Sequence, residues 1–143
     1  MKIHAMEINT NEELRKVSPF AGSLGIEPLE AGNGFARIRL PFRDDLTNPA
    51  GRLHGGVIAT LADSAMAMAV GSVLGVAGRH FTVKLEMKYK ESVTNGEIVA
   101  EATVRRRKPR VFLGEAIVKN GNGQVVATAT ATFMVRDSDP KTG

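Results

Sequence analysis

Between Asn48 and Asp63 the chain carries an amide, an imidazole, two adjacent glycines and one carboxylate, in the order Asn48, His54, Gly55, Gly56, Asp63. Adjacent glycine N–H groups at the start of a helix can donate to an oxygen that becomes negative, and the helix dipole strengthens that role. Asp63 has the chemistry of a nucleophile or of a general base for water. Asn48 can orient water or a leaving group, with His54 beside it. Each residue also has a plainer reading: a glycine pair for close helix packing, an Asn in a turn, a His as a cap, an Asp at a solvated helix edge.

The element that must position them follows directly. From Val57 to Leu74 Asp63 is the sole charged residue, Pro is absent and Gly71 is the one internal glycine, which predicts a helix that starts at Gly55-Gly56 and is broken by Gly75 and Gly78. A helix apolar nearly all round is a buried helix. A single carboxylate on it is costly unless it is paired, neutralised or put to use. The stretch from Gly55 to Gly78 is also long enough to span a bilayer. Asp63, the prevalence of Ala and Gly, and strand-like segments on both sides favour a core helix instead.

Gly55 and Asp63 are eight residues apart, which is about 12 Å along a helix axis. One small reacting group cannot touch both. If both act on it, Asp63 must come from a second, antiparallel copy of the helix, which implies a two-fold dimer with two sites at its interface. Ala59, Ala62, Ala69 and Gly71 would permit the close approach.

The flanking segments predict the remainder of an α+β domain spanning residues 1–143. Asn9 to Val17 reads as a short helix, with acids early, bases late and Pro19 as a stop. Leu24–Leu29 and Phe35–Phe42 read as strands around a turn at Ala31–Gly34, and Arg43–Arg52 as a loop. Phe81, Val83, Leu85, Met87 and Tyr89 alternate with His80, Thr82, Lys84, Glu86 and Lys88, and Asn95-Gly96 reads as a hairpin turn. Strands based on Ile98–Val104, Val111–Lys119 and Val125–Val135 follow, with turns at 108–110 and 120–123 and a polar, frayed tail from Asp137. Hairpin-linked strands imply a curved antiparallel sheet wrapped around the one long helix.

Composition narrows the chemistry. The 143 residues are 43% hydrophobic and contain no Cys, which excludes disulfides and thiolate chemistry. His4, His54 and His80 have no metal-ligand spacing, so no metal is expected. The amino terminus lacks the apolar core of a signal peptide, which predicts a cytoplasmic protein. The net charge of +4 is concentrated in Arg105–Arg110 and favours an anionic partner. Nucleic acid is disfavoured, because aromatic residues are 5% and no stacking platform is evident.

The pattern Asn48-x-x-Gly51-x-x-His54-Gly55-Gly56, followed by Leu61-Ala62-Asp63, resembles the phenylacetate-pathway branch of the hotdog-fold acyl-CoA thioesterases, over roughly residues 20 to 136. The resemblance implies hydrolysis of an acyl- or aryl-CoA thioester by a homodimer or homotetramer. It needs no cofactor, since CoA is part of the substrate, and no nucleic acid or membrane. It implies that the Gly55 N–H holds the carbonyl, that Asn48 and His54 place water or the leaving thiolate, and that Asp63 of the partner subunit is base or nucleophile. Thr82 falls where a hydroxyl often lies near the acid, although its alternation also suits a surface threonine. Arg106, Arg107, Lys108 and Arg110, with Lys90, fall where the CoA phosphates are held; a solvated hairpin tip is the alternative. A noncatalytic acyl-CoA-binding module of the same fold is the competing function, against which a buried acid argues. A hydratase would carry a His a few residues after Asp63, and none is present.

Overall fold

Six strands and one long helix dominate the computed structural model, which describes residues 18–75 and 79–136. A short helix α1 (Pro19–Ser23) leads into β1 (Glu27–Gly32) and β2 (Phe35–Pro41). A 3-10 turn at Asp44–Leu46 precedes α2 (Gly55–Leu74), after which come β3 (His80–Tyr89), β4 (Glu97–Lys108), β5 (Val111–Asn120) and β6 (Val125–Val135). Every pairing is antiparallel and the strand order is β1-β2-β4-β5-β6-β3. The architecture is the α+β arrangement expected, a curved sheet around one helix. The helix expected over Asn9–Val17, the break at Gly78 and the tail from Asp137 lie outside the described residues.

Two local expectations are corrected. Asn95-Gly96 is not a hairpin turn, because β3 and β4 are not neighbours: β3 pairs with β6 and β4 inserts between β2 and β5. Gly96 does adopt the left-handed φ of 79°, but its carbonyl accepts the Phe42 N–H at 2.7 Å, docking the turn on the end of β2. Turn chemistry is local, whereas the choice of partner strand depends on where apolar faces are buried. The first strand begins at Glu27 rather than Leu24, since Leu24 caps α1 and donates its N–H back to Phe20 and Ala21. The β1–β2 turn falls at Asn33-Gly34, both with positive φ (53° and 81°), as a two-residue hairpin loop with matching twist requires.

α2 starts at an N-cap formed by His54 and ends at Gly75 (φ 76°), whose N–H bonds the Gly71 carbonyl. Its Ile58, Leu61, Ala62, Ala65, Met66, Ala69 and Val70 are buried against Ile38, Ala100, Ala102, Phe112, Val118 and Phe133 of the sheet. Gly114 of β5 sets the approach, since a Cβ there would lie 3.0 Å from Met66 Sδ. The helix is long and apolar enough to cross a bilayer, but 56% of that stretch is buried inside the protein's own structure.

The far end of α2 is tied to the β1–β2 turn by Ser72. Its buried Oγ accepts the Gly34 N–H at 2.9 Å and donates to the Ala69 carbonyl at 2.7 Å. Ser72→Ala strands the Gly34 N–H in the core, so the unfolding free energy should fall by about 1–3 kcal/mol. A denaturant midpoint equal to that of the wild type would show that the clamp contributes nothing.

Candidate active site

The loop before α2 is closed by an antiparallel bridge between Thr47 and Leu53, with the Asn48 N–H on the Arg52 carbonyl (2.8 Å) inside the loop and the His54 N–H on the Leu46 carbonyl (2.9 Å) on the outer side. Pro49 and Gly51 suit the turn, which Gly51 closes by donating to the Asn48 carbonyl at 2.9 Å. Asn48 Oδ1 accepts the N–H groups of Ala50 (2.9 Å) and Arg52 (3.1 Å), so its oxygen is committed to the loop. What Asn48 can offer a ligand is its amide N–H₂, a donor.

Hydrogen bonding also separates the two glycines. His54 Nδ1 accepts the Gly56 N–H at 2.8 Å, satisfying one orphan donor of the helix and leaving the neutral ring's proton on Nε2. Gly55 N–H has no acceptor among the described residues. The helix start therefore presents one free backbone donor, not the two expected from the sequence.

At the other end of this constellation Thr82 Oγ1 donates to Asp63 Oδ1 at 2.9 Å. Strict alternation along β3 would turn Thr82 away from the helix. The pairing with β6 shows why it does not: Thr82 faces Phe133 and Leu85 faces Ala131, with a register shift between Thr82 and Lys84. This bulge puts two residues, Val83 and Lys84, between successive helix-facing side chains and reverses the phase of the strand. His80 and Thr82 thus join Leu85, Met87 and Tyr89 on the helix side, while Phe81 (48% exposed) and Val83 (50%) are left in the open. The expected apolar face Phe81–Val83–Leu85–Met87–Tyr89 is corrected accordingly.

His80 is the neighbour that sequence reasoning did not place here, since its spacing matches no motif. Its ring meets Phe133 edge-on at 5.7 Å, and its buried Nδ1 has no partner among the described residues. Burial holds the imidazole below its ordinary pKa, against the raising effects of the Ala67 carbonyl and Asp63. Burial likewise pushes the Asp63 carboxyl above its ordinary value, opposed by the Thr82 hydrogen bond and by His80. A half-buried carboxylate with a raised proton affinity suits a base.

The basic residues are dispersed. Arg106 faces the helix side, its guanidinium 4.8 Å over the Phe112 ring, whereas Arg105 points to the opposite face beside Leu113. A register shift between Arg106 and Lys108 fans the hairpin further, and Arg107, Lys108 and Arg110 are exposed at its tip. Arg106, Phe112, Phe133 and Thr82 form one row across four strands, so the run lies at the Asp63 end, about 14 Å from Thr82 at ordinary strand spacing. Lys90 lies at the other end, beyond Tyr89, with its N–H on the Val126 carbonyl. One copy of the chain does not bring Lys90 to the arginines, nor Gly55 to Asp63.

A long helix wrapped by a six-stranded antiparallel sheet is the hotdog class of fold. The thioesterase superfamily matches residues 50–127, and the chain belongs to it. The chain is 36% identical over 120 residues, 80% of its length and 79% of the relative's, to a Halobacterium salinarum protein named for a conjectured esterase activity. Its structure is similar to that of a conserved protein of Pseudomonas aeruginosa, with a TM-score of 0.80 and 30% identity over 85% of this chain and 97% of that one. A phenylacetic acid degradation protein of Thermus thermophilus matches with a TM-score of 0.75 and 27% identity, covering 82% and 99% of the two chains.

The environment of Asp63 makes stability depend on pH. With its folded pKa raised, Asp63 contributes stability fully below the ordinary carboxylate range, and that contribution is lost as pH rises through the raised value. Asp63→Asn lacks this dependence. Its melting temperature, minus that of the wild type, should be smallest in acid and grow towards neutrality. A difference that stays flat from acid to neutral pH would show that the carboxyl is not held high.

Proposed function

We propose that the protein hydrolyses acyl- or aryl-CoA thioesters at two sites, each made by two antiparallel copies of the chain. The observation that carries this reading is the unpartnered Gly55 N–H at a helix start, on the same helix as a half-buried Asp63 that it cannot meet. The free edge of β3, with Phe81 and Val83 exposed, supports a second copy at that place. Of the small helix residues expected to permit close approach, Ala62, Ala69 and Gly71 are instead buried in the chain's own core, and Ala59, with Ala67, is left half-buried and compatible with it.

In this reading the thioester carbonyl accepts the Gly55 N–H, and its oxygen takes up negative charge as the carbonyl carbon becomes tetrahedral. Asp63 of the partner subunit, held by its own Thr82, removes a proton from the attacking water. Alternatively it attacks the carbon itself, loss of the thiolate leaves a mixed anhydride, and water then opens that to the acid and the free carboxylate. Collapse breaks the C–S bond and releases the acid and CoA, whose thiolate is met by the donors of Asn48 and His54. The CoA phosphates lie against Arg106, Arg107, Lys108 and Arg110. An antiparallel copy also brings the partner subunit's Lys90 from the opposite end of its sheet.

Asp63→Asn should lower turnover about a hundredfold or more. Gly55→Pro removes the other half of the site with little cost to the fold. Gly55 is the first helical residue, where proline is tolerated, and His54 already has the extended backbone that precedes proline well (φ −63°, ψ 134°). When the two inactive variants are mixed and exchanged, each mixed dimer regains one intact site, so activity should return to about a quarter of wild type. Proven exchange with no recovery would refute the shared site.

Replacing Arg106, Arg107 and Lys108 by Ala should raise KM for acyl-CoA more than for a thioester lacking the nucleotide, and added salt should shrink the difference. Equal losses on both substrates would remove these residues from CoA binding.

A further inference from the structure

Tyr89 is exposed over 52% of its surface, yet its hydroxyl donates to the Gly55 carbonyl at 2.7 Å. The peptide unit between Gly55 and Gly56 is consequently gripped on both sides: its oxygen by Tyr89, its N–H by His54 Nδ1 at 2.8 Å. The preceding peptide is fixed as well, because the His54 carbonyl accepts the N–H groups of Val57 (2.9 Å) and Ile58 (3.3 Å). Between two anchored peptides, the direction of the free Gly55 N–H is determined.

Glycine needs such restraint, since without a Cβ it loses more freedom on ordering than any other residue. The fold does not demand glycine here for space: an added Cβ would meet the Tyr89 ring at 3.5 Å, an ordinary contact. The small size of Gly55 is left available to whatever approaches its N–H. Burial raises the Tyr89 pKa, which keeps the hydroxyl protonated and donating across the neutral range.

We infer that Tyr89 is a positioning residue for the reaction, aiming the Gly55 N–H at the oxygen it stabilises by holding the Gly55 carbonyl. The inference rests on the thioesterase reading for its catalytic consequence, but not for the restraint itself. It also gives the β3 bulge a second role. Thr82 and Tyr89 are seven residues apart and would face opposite ways in a regular strand. The shift after Thr82 turns both hydroxyls towards α2, one to Asp63 and one to Gly55.

The test is Tyr89→Phe in the full chain, which keeps the ring packing and deletes the bond. Nitrogen-15 relaxation should show a lower order parameter for the Gly55 amide, with Asp63 and the core amides unchanged. Steady-state hydrolysis of an acyl-CoA should show kcat reduced about tenfold with KM within about twofold, the mark of an interaction felt in the transition state. An unchanged Gly55 order parameter would overturn the positioning role. A changed one with unaltered kcat would overturn its bearing on the reaction. If the wild type hydrolyses no thioester while the amide still loosens, the thioesterase reading fails and the restraint stands.

Discussion

A carboxylate on a helix that must fill the core can exist only where the sheet stops covering it. α2 buries Met66 against Gly114 so closely that no solvent could serve a charge there. Asp63, one turn earlier, meets the edge strand instead, where Thr82 supplies a donor and solvent remains near. The penalty for a fully buried unpaired charge is prohibitive, so the acid has to sit at the sheet's free edge. That same edge is where a further strand can add. The need to fill a core, the place of the acid and the openness to a second copy are thus one constraint seen three ways.

The helix, its boundaries and most strands were legible because each rests on local signals: one charge in an apolar run, glycines at its ends, alternation in β2 and β6. The position of β3 was not, since Asn95-Gly96 carries the same turn chemistry whether or not its strands pair. Within β3 the bulge erased the meaning of alternation. Thr82 looked outward and Phe81 inward, and the reverse holds because pairing with Phe133 and Ala131, not periodicity, decides the phase. The places of His80 and Tyr89 at the site carry no sequence signal for another reason: neither belongs to a motif, and their proximity to Asp63 and Gly55 exists only once β3 lies along α2.

At the site itself, function is what local structure leaves unused. Asn48 spends its oxygen on Ala50 and Arg52, and His54 spends Nδ1 on Gly56. Each commitment fixes the remaining group: an amide N–H₂, an Nε2–H and one backbone N–H. All are donors, and the acceptor in the constellation is the distant carboxylate. A helix start that offers only donors suits a ligand atom that gains negative charge.

The strand order has a consequence for how the chain acquires this arrangement. β3 leaves the ribosome well before β6, the strand it pairs with, and β4 and β5 lie between them in sequence. Closing so long a loop is entropically slow. Until the last strand arrives, Thr82 and Tyr89 have no fixed backbone from which to grip α2, and the apolar helix lacks the cover of β3 and β6. Competence arrives in a single late step, and a chain that stalls before residue 125 exposes a sticky helix rather than a partly working site.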